Sequence, residues 1–467
     1  MESPVVIQSS ADVFAWIGGF INMGRGQSYR SFRLDRMRIL SRLADYPERC
    51  APLVHVAGSK GKGSVTGMIA AMLEAEGLKA ARYTSPDVME KRERISRGNT
   101  FFDESVYIEA GRELVSVVEK LRSLSGPEAG LFDPSREEGE EPTFFELMSL
   151  YFFLCARAGC CDAMVVETGM GGRLDATNIV EPLASVITLI EIEHAEYLGN
   201  TLAAIAGEKA GIIKTGKPLI LAAQEDEALG VFRREAAGKN SPLLYFPETV
   251  SIGDVRVSRR GTGFTLNFLT EAFFPRPLRL FLPIPGAVQT GNAGLALLAA
   301  KTAFPRLGED AVRRGLEGFR LPARFERILD EPELVIDGAH TRKSMEQCAD
   351  TFCSLYGEGG ILVFGCAAGK DVQAMTETLV RRFSRIIVTT PGTFKKSNPD
   401  DVYAVFKSKA GKETEILLIK ETRAGIEKAL ALGRELRLPV LGAGSFYLAA
   451  EIRQYICRLG LFQNRLF

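Results

Sequence analysis

The sequence predicts an α/β protein in two parts. A mostly parallel sheet with helices and a small β region fills residues 1–320, and a Rossmann-like α/β domain follows over 321–467. Three stretches carry that expectation. Leu53 to Ala57 is a short apolar run typical of a buried parallel strand, and it breaks into Gly58, Gly61 and Gly63 before a helical pattern from Val65 to Glu76. Ala163 to Glu167 is a second buried strand that ends in one carboxylate and runs into Gly169, Gly171 and Gly172. Beyond residue 322, strand and helix patterns alternate, the order a layered α/β domain needs.

Bulk properties set the outer limits. A chain of 467 residues holds two or three domains. Lys plus Arg equals Asp plus Glu, 58 each, so neither a nucleic-acid footprint nor a general attraction to anionic membranes is expected. No apolar run is long enough to span a bilayer, and the first residues lack a basic then apolar leader. The 8 cysteines form no CxxC pair, which suits reduced thiols in a cytoplasmic protein better than a zinc ribbon or a disulfide framework.

The glycine-rich turn is the first chemical signal. Glycines between a strand and a helix let successive backbone N–H groups face an anion at the helix N-terminus. Lys62 adds a point charge for phosphates, and the Ser64 hydroxyl can serve the phosphates or their Mg²⁺. The spacing departs from the usual P-loop: Val56 falls where the first glycine is expected, and Gly63 stands where Ser or Thr follows the lysine.

The remaining elements follow in order. Residues 1–50 read as helices, with Phe14, Ile17, Phe20 and Ile21 on one face, a polar loop at 24–31, and an amphipathic run from Leu34 to Leu43. A strand from Lys79 to Tyr83 ends at Thr84-Ser85-Pro86, where a hydroxyl can reach a metal held by the first loop. Glu104 to Leu124 reads as a helix, Ser125 to Glu141 as an exposed loop, and Thr143 as the cap of an apolar helix through Phe153. Glu167 at a buried strand end needs a partner or a metal, and Mg²⁺ accepts one or two such carboxylates while keeping waters and phosphates. A strand from Ser185 to Ile190 leads to Glu193-His194, and Lys209 lies on a helix beyond it. Lys217 to Ala222 is a further strand, 250–282 alternates as a small sheet, and an alanine-rich helix runs to Ala303. Leu316 to Pro322 reads as the linker. Of the 3 histidines, His55 lies within a strand and reads as structural, while His194 and His340 follow strand ends.

Several of these motifs, in this order, resemble folylpolyglutamate synthases and dihydrofolate synthases of the Mur ligase superfamily. His55-Val-Ala-Gly-Ser-Lys-Gly-Lys-Gly-Ser64 resembles the ATP loop of that family, and Glu167-Thr-Gly-Met-Gly-Gly-Arg-Leu-Asp-Ala-Thr-Asn178 resembles its Glu-x-Gly-x-Gly-Gly-x-x-Asp-Ala-Thr-Asn motif. Phe32 to Arg38 is similar to the lead-in to the loop. Thr84-Ser-Pro resembles the Ω-loop, Thr143-Phe-Phe-Glu146 a segment along the pterin cleft, and Leu321-Pro-Ala-Arg324 the hinge. Asp337-Gly-Ala-His340 and Gly444-Ser-Phe-Tyr447 match further motifs. Departures fall at Asp87 and Val288, each in place of histidine, and at Thr341 in place of asparagine.

The resemblance implies an N-terminal Mur-ligase-type ATPase domain and an ATP-dependent ligase that joins a folate or pteroate carboxylate to L-glutamate through an acyl phosphate. It assigns the nucleotide to Gly58, Gly61, Lys62, Gly63, Ser64, Asn292, Arg324 and Asp337. Mg²⁺, at two sites, would fall to Ser64, Ser85, Glu167 and His194. Lys209 would carry a carbamate that helps hold the second ion, and a neutral amine is required to form it. His340 would face the reaction centre. Thr143, Phe145, Gly172, Arg173 and Asp175 would contact the acid substrate, and the protein would act as a monomer. A Mur-type ligase for a different acid, or a non-catalytic nucleotide-binding relative, are the alternatives.

Overall fold

The computed structural model describes residues 5–20, 34–132, 141–269, 273–392 and 396–462. The readings at Ile21, 24–31 and Phe32, and part of the 125–141 loop, lie outside these. The first helix, Ser10–Gly18, starts where Ser9 Oγ accepts from Asp12 N at 3.2 Å while Asp12 accepts from Ser9 N at 2.8 Å.

A seven-stranded sheet contains β1 (Leu53–Ala57), β2 (Ala80–Tyr83), β3 (Ile95–Arg97), β4 (Ala163–Glu167), β5 (Ala184–Ile187), β6 (Leu219–Leu221) and β7 (Leu243–Tyr245). Their spatial order is β3-β2-β4-β1-β5-β6-β7, and only β3 runs antiparallel to its neighbour. Period-two alternation splits β4 between two cores: Met164 and Val166 face the helices Ser10–Gly18, Glu104–Arg122 and Phe144–Ala158, while Ala163 and Val165 face Lys62–Ala75, Val288–Ala303 and Glu309–Gly318. The same alternation points Glu167 towards the helix that follows the glycine-rich turn. β1 sits between β4 and β5, so the carboxyl ends of these strands form the crevice where ligands collect in such sheets.

The small sheet consists of β8 (Val250–Ser258), β9 (Gly261–Phe268) and β10 (Leu278–Leu282), all antiparallel. A third sheet combines β11 (Glu326–Asp330), β12 (Glu333–Ile336), β13 (Gly360–Phe364), β14 (Phe383–Val388), β15 (Glu415–Leu418) and β16 (Val440–Ala443) in the order β11-β12-β16-β13-β14-β15. Only β11 is antiparallel. One face packs on the helices Arg342–Tyr356 and Pro399–Lys409, the other on Thr422–Leu436 and Phe446–Arg458.

The structure shifts some expected boundaries. The helix after the glycine-rich turn starts at Lys62, ahead of the apolar pattern, because Gly61 caps it in a left-handed conformation at φ 90°. The expected linker from Leu316 is shorter: Leu316 belongs to the helix Glu309–Gly318, and it and Phe319 are fully buried in the N-terminal core. The strands β3, β7 and β11 have no clear alternating signal, since β3 and β7 are edges of three residues and β11 is an edge with one buried side chain. No described helix is long and apolar enough to cross a membrane.

Candidate active site

The glycine-rich turn is shaped by close contact. Gly58 has φ 146°, and a Cβ there would lie 1.8 Å from Thr188 Oγ1 on the segment after β5. Gly58→Ala is therefore expected to lower Tm, with a backbone penalty of about 1–3 kcal/mol before the clash is counted. Removing the hydroxyl in Gly58→Ala/Thr188→Ala should restore part of it. An unchanged Tm in the single variant would contradict this geometry.

Two lysines converge on the carbonyl of Gly58: Lys62 Nζ donates to it at 2.9 Å and Lys209 Nζ at 2.7 Å. Lys209 is 1% exposed. Burial, and then the Lys62 charge, lower its pKa to about 7, against the pull of Glu193 at 3.5 Å. Glu193 also reaches Lys60 at 3.9 Å. The helix Leu202–Lys209 is pressed onto the loop after β4, since a Cβ at Gly172 would meet Lys209 Cα at 3.0 Å.

Glu167 is 2% exposed. Burial raises its pKa to about 7, although Lys62, the Ser85 N–H, Arg324 and Arg94 act the other way. Its Oε2 accepts from Ser85 N at 3.4 Å and abuts Gly63. Gly63, Ser64, Thr84, Ser85, Arg324 and Phe446 line one cavity. Two hydroxyls beside one poorly solvated carboxylate are hard oxygen donors of the kind Mg²⁺ takes. Among the described residues no group of three or more His, Cys, Asp or Glu could hold a metal, so an ion here would lean on hydroxyls, water and ligand oxygens.

His194 opens the short helix Ala195–Leu198 from a left-handed conformation, φ 51°, and is exposed. Its surroundings lower its pKa, chiefly by desolvation; Glu193 opposes the shift, while Lys62 and Lys209 add to it. The Lys62 charge thus acts on Glu167 and His194 alike.

The second lobe contributes from across the crevice. Arg324 lies between Ala323 at φ 53° and Phe325 at φ 43°, and its guanidinium stacks 4.1 Å above Phe446. Asp337 fixes that backbone: Oδ2 accepts from Phe325 N at 2.8 Å and Oδ1 from Ala339 N at 2.7 Å. His340 Nδ1 donates to Gly338 O at 2.8 Å, which leaves Nε2 with the lone pair. Burial lowers its pKa to about 4, so the ring is neutral at physiological pH. Lys343 bridges to Glu191 at 3.3 Å, tying the lobes together at the rim. Asn292 lies against the loop, its Oδ1 2.6 Å from where a Cβ on Gly61 would be.

The expected acid-binding residues divide. Phe145 is 52% exposed, beside the loop at Gly169. Thr143 caps the helix Phe144–Ala158 by accepting from Glu146 N at 3.2 Å, and Glu146 in turn meets Arg36 at 3.0 Å. Asp175 is occupied by its own loop: Oδ2 accepts from Gly169 N at 2.9 Å and Met170 N at 3.0 Å, and Oδ1 from Thr177 N at 3.0 Å. Arg173 pairs with Glu208 and keeps an exposed side chain. Asp87, where the family pattern has histidine, pairs with Arg94 and with Lys91 at 3.2 Å. His55 is buried with Nε2 2.9 Å from Thr177 Oγ1, a structural role. Two residues at the cavity, Arg82 and Phe446, carry no motif signal of their own as a ligand site; a charged residue inside an apolar strand is the hint that marks Arg82.

Fold and site together define a Mur-type ligase. The chain matches the Mur ligase middle domain over residues 56–300 and the Mur ligase glutamate ligase domain over 323–446. It is 34% identical over 375 residues to a dihydrofolate synthase/folylpolyglutamate synthase of Bacillus subtilis (strain 168), covering 79% of this chain and 82% of that one. It is 31% identical over 430 residues to a folylpolyglutamate synthase of Lacticaseibacillus casei, covering 90% and 94%. A solved FPGS–AMPPCP–folate complex superposes with a TM-score of 0.79 at 27% identity, covering 96% of this chain and 100% of that one. The chain belongs to the folylpolyglutamate synthase/dihydrofolate synthase family.

Proposed function

We propose that this protein is an ATP-dependent ligase that forms an amide between a folate-type carboxylate and L-glutamate. The observation that carries the reading is the convergence of Lys62, Glu167, Ser85 and Arg324 on one crevice between two α/β lobes. The turn from Gly58 to Ser64 would seat the triphosphate of ATP, with Asn292 and Asp337 supporting the nucleotide. Lys62 and Arg324 would stabilise charge on the phosphoryl group as it passes to the acceptor carboxylate. Glutamate's amine would then attack the acyl phosphate, and phosphate would leave. Neutral His340, with its free Nε2, would accept a hydrogen bond from that amine and help to orient it. Mg²⁺ would be held by Ser64, Ser85, Glu167 and His194, and when bound it neutralises phosphate charge. Phe145, Gly172 and Arg173 border the space left for the acid, while Thr143 and Asp175 shape that border through their own loops.

We place the division at 320/321, close to where the cores part: Phe319 and Leu321 pack in the first lobe and Ala323 in the second. Two such lobes can close and exclude water that would hydrolyse the acyl phosphate. We assign the protein to the cytoplasm, a reading its free thiols support, and take it to act as a monomer.

Lys209 fits carbamylation in one respect: its pKa near 7 leaves much of the amine neutral. A carbamate would, however, place an anion beside Glu193, now 3.5 Å from the ammonium. A second Mg²⁺ would relieve that repulsion. Intact mass in bicarbonate is therefore expected to reveal the carbamate with Mg-nucleotide present and not without it. A shift independent of metal would contradict this coupling. For the function itself, ADP release should require both a pterin acid and glutamate. ATP turnover indifferent to every pterin offered would reject the assignment.

A further inference from the structure

The cavity that carries Ser64, Ser85 and Arg324 also contains an arginine for which the mechanism has no use. Arg82 lies on β2, whose Ala81 and Tyr83 face one core. By alternation Arg82 faces the other, beneath the helix Lys62–Ala75, where its Nη1 would lie 3.3 Å from a Cβ on Gly67. It is 6% exposed. Its Nε donates to Ser96 Oγ at 3.1 Å on the paired strand β3. Among the described residues no carboxylate lies within ion-pair distance of it, and Arg82 is one of the residues that line the cavity. The nearest acid in that lining, Glu93, is taken up by the N–H groups of Val88 at 2.6 Å, Met89 at 2.9 Å and Glu90 at 3.3 Å. Burial lowers the Arg82 pKa only to about 10, so it stays charged. Glu93 and Glu167 offset its charge only from beyond ion-pair distance, so a ligand carboxylate in direct contact would recover more of the cost of burying it. Arg320 and Arg324 line the same cavity and leave its balance positive.

We propose that Arg82 receives the non-reacting α-carboxylate of a glutamyl acceptor while the acceptor's other carboxylate is held at Ser85 and Arg324 for phosphorylation. This rests on the ligase reading above and refines its substrate class. A glutamyl group carries two carboxylates on one short chain, whereas a pteroate carries one. Arg82 is thus a specificity-determining residue that favours extension of an existing glutamate tail.

The test compares a reduced folate monoglutamate with its α-carboxamide, which keeps the reacting γ-carboxylate. With wild-type protein the amide should raise KM by at least about tenfold, the scale of one charge-assisted hydrogen-bonded contact. Arg82→Met should raise KM for the acid to the same degree and no longer distinguish the two compounds. Arg82→Lys should recover part of the preference. Arg82→Met also removes the Ser96 hydrogen bond and the longer-range attraction to Glu93 and Glu167, so Tm is read beside KM to show that the variant is folded. Wild-type protein that uses acid and amide equally well overturns the assignment, and that arm needs no variant to fold. A preference that survives in Arg82→Met also overturns it. Turnover with pterin acids but no acid-over-amide preference removes only the Arg82 site, whereas no pterin-dependent turnover removes the ligase reading with it.

Discussion

Replacing Lys62 with methionine is expected to lower kcat for ligation by about a thousandfold, the upper range for loss of one preorganised charge at a transition state. The residue lies at the first position of the helix Lys62–Ala75 and its ammonium is held over the Gly58 carbonyl, so it is aimed before any ligand arrives. The substitution also alters its neighbours. Lys209 loses a repelling charge and Glu167 loses its main electrostatic support, so both pKa values should rise. Lys209 would then be less often neutral at a given pH, and Glu167 less often ionised. The variant's pH–rate profile should move to higher pH as well as falling in height. Single-turnover rates across pH provide the measurement, and a rate within threefold of wild type at every pH would contradict the role.

Glu167→Gln separates catalysis from stability. Its folded pKa of about 7 lies above the ordinary 4.5, so the folded state binds more protons than the unfolded state between those values. Stability from this group is therefore fully present below about 4.5 and is lost as pH rises to about 7, a change on the order of 3 kcal/mol. The apo variant, isosteric and uncharged, should be more stable than wild type at pH 8 and should lack this part of the pH dependence. Its Mg²⁺-dependent turnover should fall by at least about a hundredfold, because the one buried carboxylate at the proposed ion site is gone. Thermal melts at pH 5 and pH 8, with and without Mg-nucleotide, check both halves. A variant that is less stable at pH 8 yet fully active would refute the account of this residue.

The sequence made the centre of the molecule legible and left its edges obscure. β1 and β4 are mostly apolar and buried along their whole length, and β4 ends in a carboxylate that burial alone does not explain, so their pattern is unambiguous. The start of the helix at Lys62 was hidden because a left-handed Gly61, not an apolar residue, determines it. Thr143 and Asp175 belong to motifs, yet their polar atoms serve helix and loop caps. A motif records which residues recur and does not separate those that touch a ligand from those that hold the touching residue. Phe446 meets Arg324 only through tertiary packing of the C-terminal helix, and Arg82 meets the cavity only because β2 lies beside β4. Neither arrangement can be read along the chain.

The crevice between the lobes is expected to couple ATP cleavage to amide formation on a pterin acid. The most direct measurement is ADP release and product mass with ATP, Mg²⁺ and L-glutamate, with a reduced folate or dihydropteroate either present or omitted. One ADP is expected for each glutamate joined, with no more than background release when either the pterin or glutamate is left out. ADP formed at the same rate without a pterin, or no product heavier by one glutamate, would contradict it.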